Sequence, residues 1–459
     1  MKEWFKLLKL SLNGSRQSYV SGSIDRAIFL LAVPMVLEMG MESLFAVVDI
    51  FFASLLSTEA VVTVGLTATV VMLVDAMAIG LGVAASALVA RRIGEGEPRQ
   101  AGMVVGQVIL IALVFSAALV VAGWHYAGDL LRLMGAEERV IAVGTRFAQI
   151  EFLSSPVIVL MYALCGSLRG AGAASAAMRS LWIANGINIL LDPLFIFGLG
   201  PFPEMGITGA AVASAIGWTS GVGYQLYFLY ASQRKISVQW SDLIPDRTYL
   251  SRLLNLAVGG TGQLLIASAS WIFLTRIVAG FGSEVVAGYT IAIRIFIFTL
   301  LPSWGMANAA ATLVGQNLGA QQPGRAAVSV WRTARCNMWF LLVIAVVLFF
   351  QAETVIGWFS SNAAVLNTGV SALRIFCLGY GFYGYGIVII QSINGAGDTQ
   401  TPLYLNLICF WLAEIPLAYL LGQQYGAIGV FASIPIGESL LAILSILVFR
   451  SGEWKMSQV

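Results

Sequence analysis

The chain has 459 residues, of which 59% are hydrophobic and 10% charged, whereas ordinary soluble domains carry about 25% charged residues. A soluble protein of this length has more surface than so few charges cover, so the composition reads as a multi-span membrane protein. The formal net charge of +2 gives no nucleic-acid footprint, four scattered cysteines exclude a secreted disulfide scaffold, and the single His125 leaves little room for a histidine-rich metal site.

Residues 1–26 read as a cytoplasmic N-terminal segment rather than a cleavable signal. In it Trp4, Phe5, Leu7, Leu8 and Leu10 interleave with Lys2, Lys6 and Lys9, which suits either a helix on the membrane surface or a frayed tail. A spanning helix needs about 20 mostly apolar residues. Twelve stretches meet that: 27–56, 61–90, 101–127, 140–168, 177–198, 206–231, 252–281, 285–315, 326–352, 364–392, 400–421 and 426–450. The expected fold is an all-α integral membrane protein with two six-helix bundles, residues 27–231 and 252–450. A polar cytoplasmic linker, 232–251, joins them, and 451–459 form a cytoplasmic tail. Prolines 34, 156, 193, 302, 416 and 435 fall inside spans and permit bending.

With twelve spans, the N-terminus, alternate loops and the C-terminus share one side. Seventeen of the 25 Lys and Arg residues fall there, Arg16, Arg169, Arg234, Lys235 and Arg325 among them; only Arg132 and Arg139 fall opposite. Positive charge marks the cytoplasmic side, so both termini are expected in the cytoplasm.

Sliding the chain along itself gives one persistent offset. Leu31-Ala-Val33 matches Leu256-Ala-Val258, Glu59 matches Glu284, and Pro98 meets Pro323, each 225 residues apart. Ser167-Leu-Arg-Gly-Ala-Gly172 reads against Ser392-Ile-Asn-Gly-Ala-Gly397 at the same offset. Later the register slips: Gly206, Gly209 and Gly217 match Gly426, Gly429 and Gly437, 220 apart. A fixed offset over this length indicates a duplicated six-helix unit. Six is even, so the repeats are parallel, an arrangement suited to alternating access.

A carboxylate at the bilayer centre costs about 2.5–3.5 kcal/mol on insertion scales, so each one present needs a cavity or a partner. The first repeat holds Glu38, Glu42, Asp49, Asp75, Glu151 and Asp192 within spans; the second holds Glu414 and Glu438. At the repeat offset, Glu38 meets Gln263, Glu42 meets Ala267, Asp49 meets Leu274 and Asp75 meets Leu300. The halves share a scaffold but not chemistry. Glu38, Glu42 and Asp49 fall within about 40° of one another on the first helix. Asp49, Asn188, Asp192 and Ser214 all fall in the outer third of the bilayer. Two carboxylates, an amide and a hydroxyl at one depth suit a proton or a Na+ ion, since hard cations take oxygen ligands.

Each residue also has a structural reading. Asp49 fits a hydrogen-bond network, and Asp192 precedes Pro193, where a kink frees backbone groups. Asn188 and Ser214 fit helix packing. Glu38 and Glu42, with Asp75 and Glu151, are candidates for a substrate cavity; partnering a local arginine or facing the cytoplasmic vestibule are the alternatives for Glu38 and Glu42. Arg276, Arg294 and Arg374 suit snorkelling or capping at span ends, and Gly102/Gly106 and Gly217/Gly221 suit helix packing. Gly80-Leu-Gly82 imitates a dinucleotide fingerprint without a preceding strand. No Walker loop is present, which leaves a cation gradient as the economical energy source.

Several motifs together resemble the multidrug and toxic compound extrusion (MATE) family, over about residues 25–450. They are Leu31-Ala-Val-Pro34, Val48-Asp49-Ile-Phe-Phe-Ala53, Leu168-Arg-Gly-Ala-Gly172 and Asn188-Ile-Leu-Leu-Asp192-Pro193. Gly209-Ala-Ala-Val-Ala-Ser214, Ala287-Gly-Tyr-Thr-Ile-Ala-Ile-Arg294 and Asn394-Gly-Ala-Gly-Asp398 complete them. The resemblance implies twelve helices in two lobes and export of small organic cations or toxic compounds in exchange for H+ or Na+, with no cofactor and a functional monomer in the bacterial or archaeal cytoplasmic membrane. The chain looks most like the DNA-damage-inducible type, whose pattern is matched by Asp49, Asn188 and Asp192, with Ser214 where that pattern has Thr. Branches with a seventh-helix glutamate expect a carboxylate near Gln263, and span seven has none.

Two other readings compete. A lipid or lipid-linked saccharide flippase of the wider superfamily would favour a more basic cavity. An integral-membrane enzyme would need a catalytic cluster at an aqueous interface, which the short loops do not offer.

Overall fold

The computed structural model describes residues 2–14, 18–56, 58–232, 236 and 238–457. Within helices, the side chains of residues 2–4, 46, 47, 49, 50, 53, 54, 58–61, 143, 231 and 232 also lie outside that description. Arg16, Arg234 and Lys235 of the orientation count, and the side chains of Lys2, Trp4, Asp49 and Glu59, therefore lie outside the described residues.

The described chain is helical, with no strand among the described residues. A short α1 (Lys2–Asn13) precedes α2 (Ile24–Ser54), α3 (Thr58–Gly94) and α4 (Pro98–Leu133). Next come α5 (Glu138–Leu153), α6 (Ser155–Gly170), α7 (Ala174–Ile196) and α8 (Ile207–Ser232). The second half holds α9 (Arg247–Ala279), α10 (Ser283–Gly319), α11 (Pro323–Gly357) and α12 (Ala363–Gly395). It ends with α13 (Gln400–Asn406), a π-helical stretch (Leu407–Glu414), α14 (Ile415–Tyr425) and α15 (Ala427–Ser451). Among the described residues nine helices are long and apolar enough to cross a membrane, and α5 with α6 makes a tenth span bent by 45°. The helices α7 and α8, richer in small and polar residues, complete the twelve.

Two spans depart from simple rods, both at proline. The break between α5 and α6 falls at Ser154, two residues before Pro156. The π-helical stretch ends at Glu414, two residues before Pro416. Pro416 lacks an N–H, and its ring crowds the carbonyl four residues back, so the regular ladder does not pass through it.

Contacts divide the chain into two compact units. One holds Leu37–Thr261 with the N-terminal helix; the other holds Ser18–Val36 with Gly262–Val459. The first turns of α2 thus belong to the second unit, and those of α9 to the first.

Within the first unit, α3 packs on α6 through small residues. A Cβ on Gly170 would lie 3.0 Å from the Cα of Ser86, and one on Gly82 would lie 2.8 Å from the carbonyl of Tyr162. Gly80 faces α9: a Cβ there would lie 2.6 Å from the Thr261 amide. The Gly80-Leu-Gly82 pair is therefore a helix-packing surface. Gly217 and Gly221 abut the Ala184 and Ser180 carbonyls of α7, at 2.5 and 2.9 Å for an added Cβ. Gly106 packs not on another span but on the linker; a Cβ there would lie 2.6 Å from the Asp242 Cβ, in the 3₁₀ turn Trp240–Leu243.

That linker is held along α4. Arg99 donates to both carboxylate oxygens of the buried Asp242, at 2.7 and 2.6 Å. Gln107 donates to the carbonyls of Asp242 and Ile244, at 2.7 and 2.8 Å, and accepts from the Asp246 amide at 2.9 Å. Asp246 in turn caps α9, accepting from the amides of Thr248 and Tyr249 at 2.8 and 3.2 Å. Elsewhere in this unit, Arg179 donates to the Leu12 carbonyl and the Asn13 side chain, at 2.7 and 3.2 Å, and so holds the end of α1.

The second unit repeats this construction. A Cβ on Gly395 would lie 2.6 Å from the Cα of Ala311, and one on Gly305 would lie 2.6 Å from the Val36 amide. These are the contacts of Gly170 with Ser86 and of Gly80 with Thr261, each shifted by 225 residues. Gly172 (φ 70°) and Gly397 (φ 92°), also 225 apart, make the left-handed turns that end the fourth and tenth spans. On α11, Arg325 donates to the carbonyls of Gly22, Tyr19 and Ser21 at 2.9, 3.3 and 3.1 Å, and Arg332 pairs with Asp25 at 2.7 Å. Arg332 is the repeat partner of Gln107. Aromatic rings fill the core: Tyr289 stacks on Phe431 with centroids 5.8 Å apart, and Phe376 meets both edge-on.

Arg374 behaves as a cap, donating to the Phe349 carbonyl and to Glu353 at 3.2 and 3.1 Å. Phe382 is exposed on its helix, whereas the Tyr383 hydroxyl accepts from the Trp304 indole at 2.9 Å.

Candidate functional site

The first unit holds a buried polar triad on α7 and α8. Asn188 and Asp192 lie one turn apart on α7, so their side chains share a face. The Asn188 amide donates to Asp192 Oδ1 at 3.2 Å and to Ser214 Oγ of α8 at 3.0 Å. Asn188 is 2% exposed, Asp192 0% and Ser214 8%. Gly217 makes this meeting possible, because its missing side chain lets α8 approach the Asn188 Cβ. The Asn188 Oδ1 is buried and has no hydrogen-bond partner among the described residues. A buried oxygen without a donor costs about 1–3 kcal/mol, so an oxygen-seeking cation fits there. The set supplies a carboxylate, an amide oxygen and a hydroxyl, hard donors suited to H+ or Na+. Of the four residues predicted for this site, the structure brings three together. Asp49 lies on α2, and its side chain is outside the described residues.

A second polar group lies in the same unit on α2, α3 and α6. Glu38 Oε1 is 3.7 Å from the Arg169 guanidinium, with side chains 3% and 15% exposed. Glu38 Oε2 is buried without a hydrogen-bond partner among the described residues. One turn further along α2, Glu42 accepts a hydrogen bond from the Tyr162 hydroxyl at 3.0 Å, and Asp75 of α3 is near enough to interact with it electrostatically. Of the four residues predicted to line a substrate cavity, Glu38 and Glu42 thus stand one turn apart on α2, and Asp75 lies within electrostatic range of Glu42 on α3. Glu151 stands at the end of α5, beside the bend at Ser154, whose amide bonds to its carbonyl at 3.1 Å.

For Glu38 the structure shows the alternative reading, a local arginine as partner, and that arginine is Arg169. Sequence reasoning missed other partners. Beyond Glu38 runs a hydrogen-bonded group across α6, α7 and α8. The buried Gln225 donates to Cys165 Sγ at 3.1 Å, to Ser180 Oγ at 3.0 Å and to the Met161 carbonyl at 3.3 Å. Tyr162 also meets Trp218, with centroids 6.0 Å apart, and Trp218 meets Phe45 edge-on at 6.0 Å. The one available signal was the four-residue step from Ser214 to Trp218, which puts the indole one turn from the triad.

Two repeats of six spans, with buried polar sites inside the first, define a membrane transporter rather than an enzyme. The MatE family profile matches residues 34–194 and 262–420, and the chain belongs to that family of multidrug and toxic compound extrusion transporters. Among curated relatives it is 26% identical over 428 residues to an FAD transporter of Shewanella oneidensis, covering 93% of this chain and 95% of that one. It is 23% identical over 439 residues to a probable multidrug resistance protein, NorM, of Thermotoga maritima, covering 95% of this chain and 94% of that one. Among solved structures, an outward-facing multidrug resistance MATE transporter of the MOP superfamily superposes with a TM-score of 0.90 at 26% identity, covering 97% of this chain and 99% of that one. A MATE in the bent conformation superposes at 0.89 and 26% identity, covering 96% and 99%. The all-α, twelve-span membrane architecture agrees with these relatives.

Proposed function

We propose that this protein is a cation-coupled antiporter that exports small organic cations or other toxic compounds across a cytoplasmic membrane. The observation that carries the reading is the buried triad of Asn188, Asp192 and Ser214, with its orphaned amide oxygen. Asp49 joins the triad as the fourth ligand, as in the DNA-damage-inducible-type branch, where we place this chain. Binding H+ or Na+ removes the cost of a charge held in low dielectric, which biases the protein toward one access state. Substrate is released outward and the ion inward. The functional lobes are the six-span repeats, 27–231 and 252–450, working as a monomer with both termini in the cytoplasm, and Glu38, Glu42, Asp75 and Glu151 serve the substrate cavity.

Proteoliposomes loaded with a fluorescent organic cation test this under separately imposed proton and sodium gradients. Efflux should follow one gradient and vanish in Asp192→Asn. Efflux by that variant at the wild-type rate would remove the triad from coupling. The FAD transporter relative raises a dinucleotide as another cargo; the carboxylates near Glu42 argue against a phosphate group there, and FAD competing with the organic cation for export would support it.

A further inference from the structure

In the second unit, α11, α12 and the end of α15 bring basic and aromatic side chains together on the outer surface. We propose that Arg335 of α11 and Arg450 of α15, with the Trp331 indole and the Tyr385 phenol between them, hold the phosphate of an anionic phospholipid whose acyl chain lies along α11. This goes beyond the exporter reading and does not depend on it.

The surface of α11 sets the depth of the site. Trp339, Val343, Val346, Val347 and Phe350 are each more than half exposed, and they follow the exposed Arg335 at steps of three and four along one face. An exposed apolar stripe on a spanning helix faces hydrocarbon. It is bounded by Arg335 at one end and by Glu353, which accepts from Arg374 at 3.1 Å, at the other. At 1.5 Å per residue, the stretch from Arg335 to Glu353 is about 27 Å long, against about 30 Å for a bilayer core. Arg335 therefore stands at headgroup level, on the side where α15 ends. In the orientation proposed above that is the cytoplasmic leaflet, where anionic lipids attract basic residues.

An aromatic core positions the charges. Arg335 Nε donates to the Trp331 carbonyl at 3.3 Å, which uses one of its five N–H groups. The Arg450 guanidinium lies 5.9 Å from the centroid of the Trp331 ring. Trp331 meets Tyr385 of α12 at 6.1 Å and Phe449 edge-on at 5.1 Å. Both arginines are close enough to act electrostatically on the Tyr385 phenol. Behind them the chain turns at Gly452 (φ 84°), Trp454 stacks on Phe449 at 4.5 Å, and Lys455 adds a third cation 5.7 Å from the Trp454 ring.

Neither Arg335 nor Arg450 forms an ion pair among the described residues, whereas Arg332, on the same helix, pairs with Asp25. The first unit shows what such a place can hold. Trp331 is the repeat partner of Gly106, and Gly106 makes room for Asp242, whose carboxylate Arg99 binds. At the corresponding place in the second unit an indole fills the gap, and no carboxylate of the described residues pairs with the two arginines. A phosphate would supply the missing anion, because guanidinium groups bind its oxygens in pairs.

Photolabelling of the full-length protein in phosphatidylcholine vesicles tests the site. The probe is phosphatidylglycerol with a diazirine in its acyl chain, and adducts are located by peptide mass spectrometry. Labelling of residues 339–347 should exceed that by the same diazirine on phosphatidylcholine at least about tenfold. Arg335→Gln and Arg450→Gln should each reduce it about fivefold, the scale of one lost charge at the membrane surface, and together they should bring it to the phosphatidylcholine level. Arg335→Lys should stay within about threefold, because the charge remains. Arg276→Gln, on α9, should label as wild type. Unlabelled phosphatidylglycerol should compete, and inorganic phosphate should not. Thermal melting confirms folding, and if Arg450→Gln does not fold, the two Arg335 variants decide. Equal labelling by the two lipids, labelling unchanged in the folded glutamine variants, or displacement by inorganic phosphate overturns the lipid site.

Discussion

Arg99 and Asp242 are joined by two hydrogen bonds, at 2.7 and 2.6 Å, between the first turn of α4 and the segment that leads into α9. The arginine is 41% exposed and the aspartate side chain 2%. The pair is therefore a device for burying a charge in a linker, and it keeps that linker in place.

Arg99→Ala should destabilise the first unit by about 2 kcal/mol, the scale of a lost hydrogen bond to a charged group. The buried Asp242 then has no guanidinium to offset its desolvation. The check is a lowered melting temperature in detergent with new proteolytic cleavage between residues 238 and 246. Cleavage unchanged from wild type would mean that Gln107 alone suffices to hold the segment.

Arg169→Ala should cost about 3 kcal/mol, because removing one partner strands the other charge in the interior. Glu38→Gln in the same chain should restore much of that loss, since a neutral amide needs no counter-charge. A double-mutant cycle in melting temperature reads the coupling; additive losses would show that the 3.7 Å approach contributes nothing.

Gly170→Ala and Gly395→Ala should destabilise by similar amounts, about 1–3 kcal/mol each, through overpacking. The added methyl meets the backbone of Ser86 in one unit and of Ala311 in the other. Thermal melting of the two variants side by side measures how far the structural repeat is an energetic one.

If the triad holds the coupling ion as proposed, Asn188→Ala should reduce gradient-driven efflux at least about tenfold. Asn188→Asp should shift the ion or pH dependence instead, because it places a second carboxylate beside Asp192 Oδ1, only 3.2 Å from the present amide. Efflux rates against pH and sodium concentration distinguish the two results.

Much of this protein was legible in the chain itself. Apolar stretches of spanning length, a 225-residue offset and six intramembrane acids in the first repeat against two in the second gave twelve helices, a duplication and an asymmetric chemistry. These features are local or periodic, and helix geometry carries them from sequence to structure without reference to distant partners. The i, i+4 step placed Asn188 and Asp192 on one face for the same reason.

Tertiary structure decided who meets whom. Nothing local says that Arg169 turns to Glu38, that Tyr162 binds Glu42, or that Gly106 makes room for Asp242 of the linker rather than for another span. Those pairings join residues 120 to 136 positions apart in the cases of Tyr162 with Glu42 and Gly106 with Asp242. Nor does the sequence show that the first turns of α2 pack with the second unit and those of α9 with the first. Close approach of helices depends on absent side chains at Gly80 and Gly305, and the complementary surfaces that fill those gaps lie far along the chain. Periodicity sets which face a residue takes, but only packing selects the face opposite.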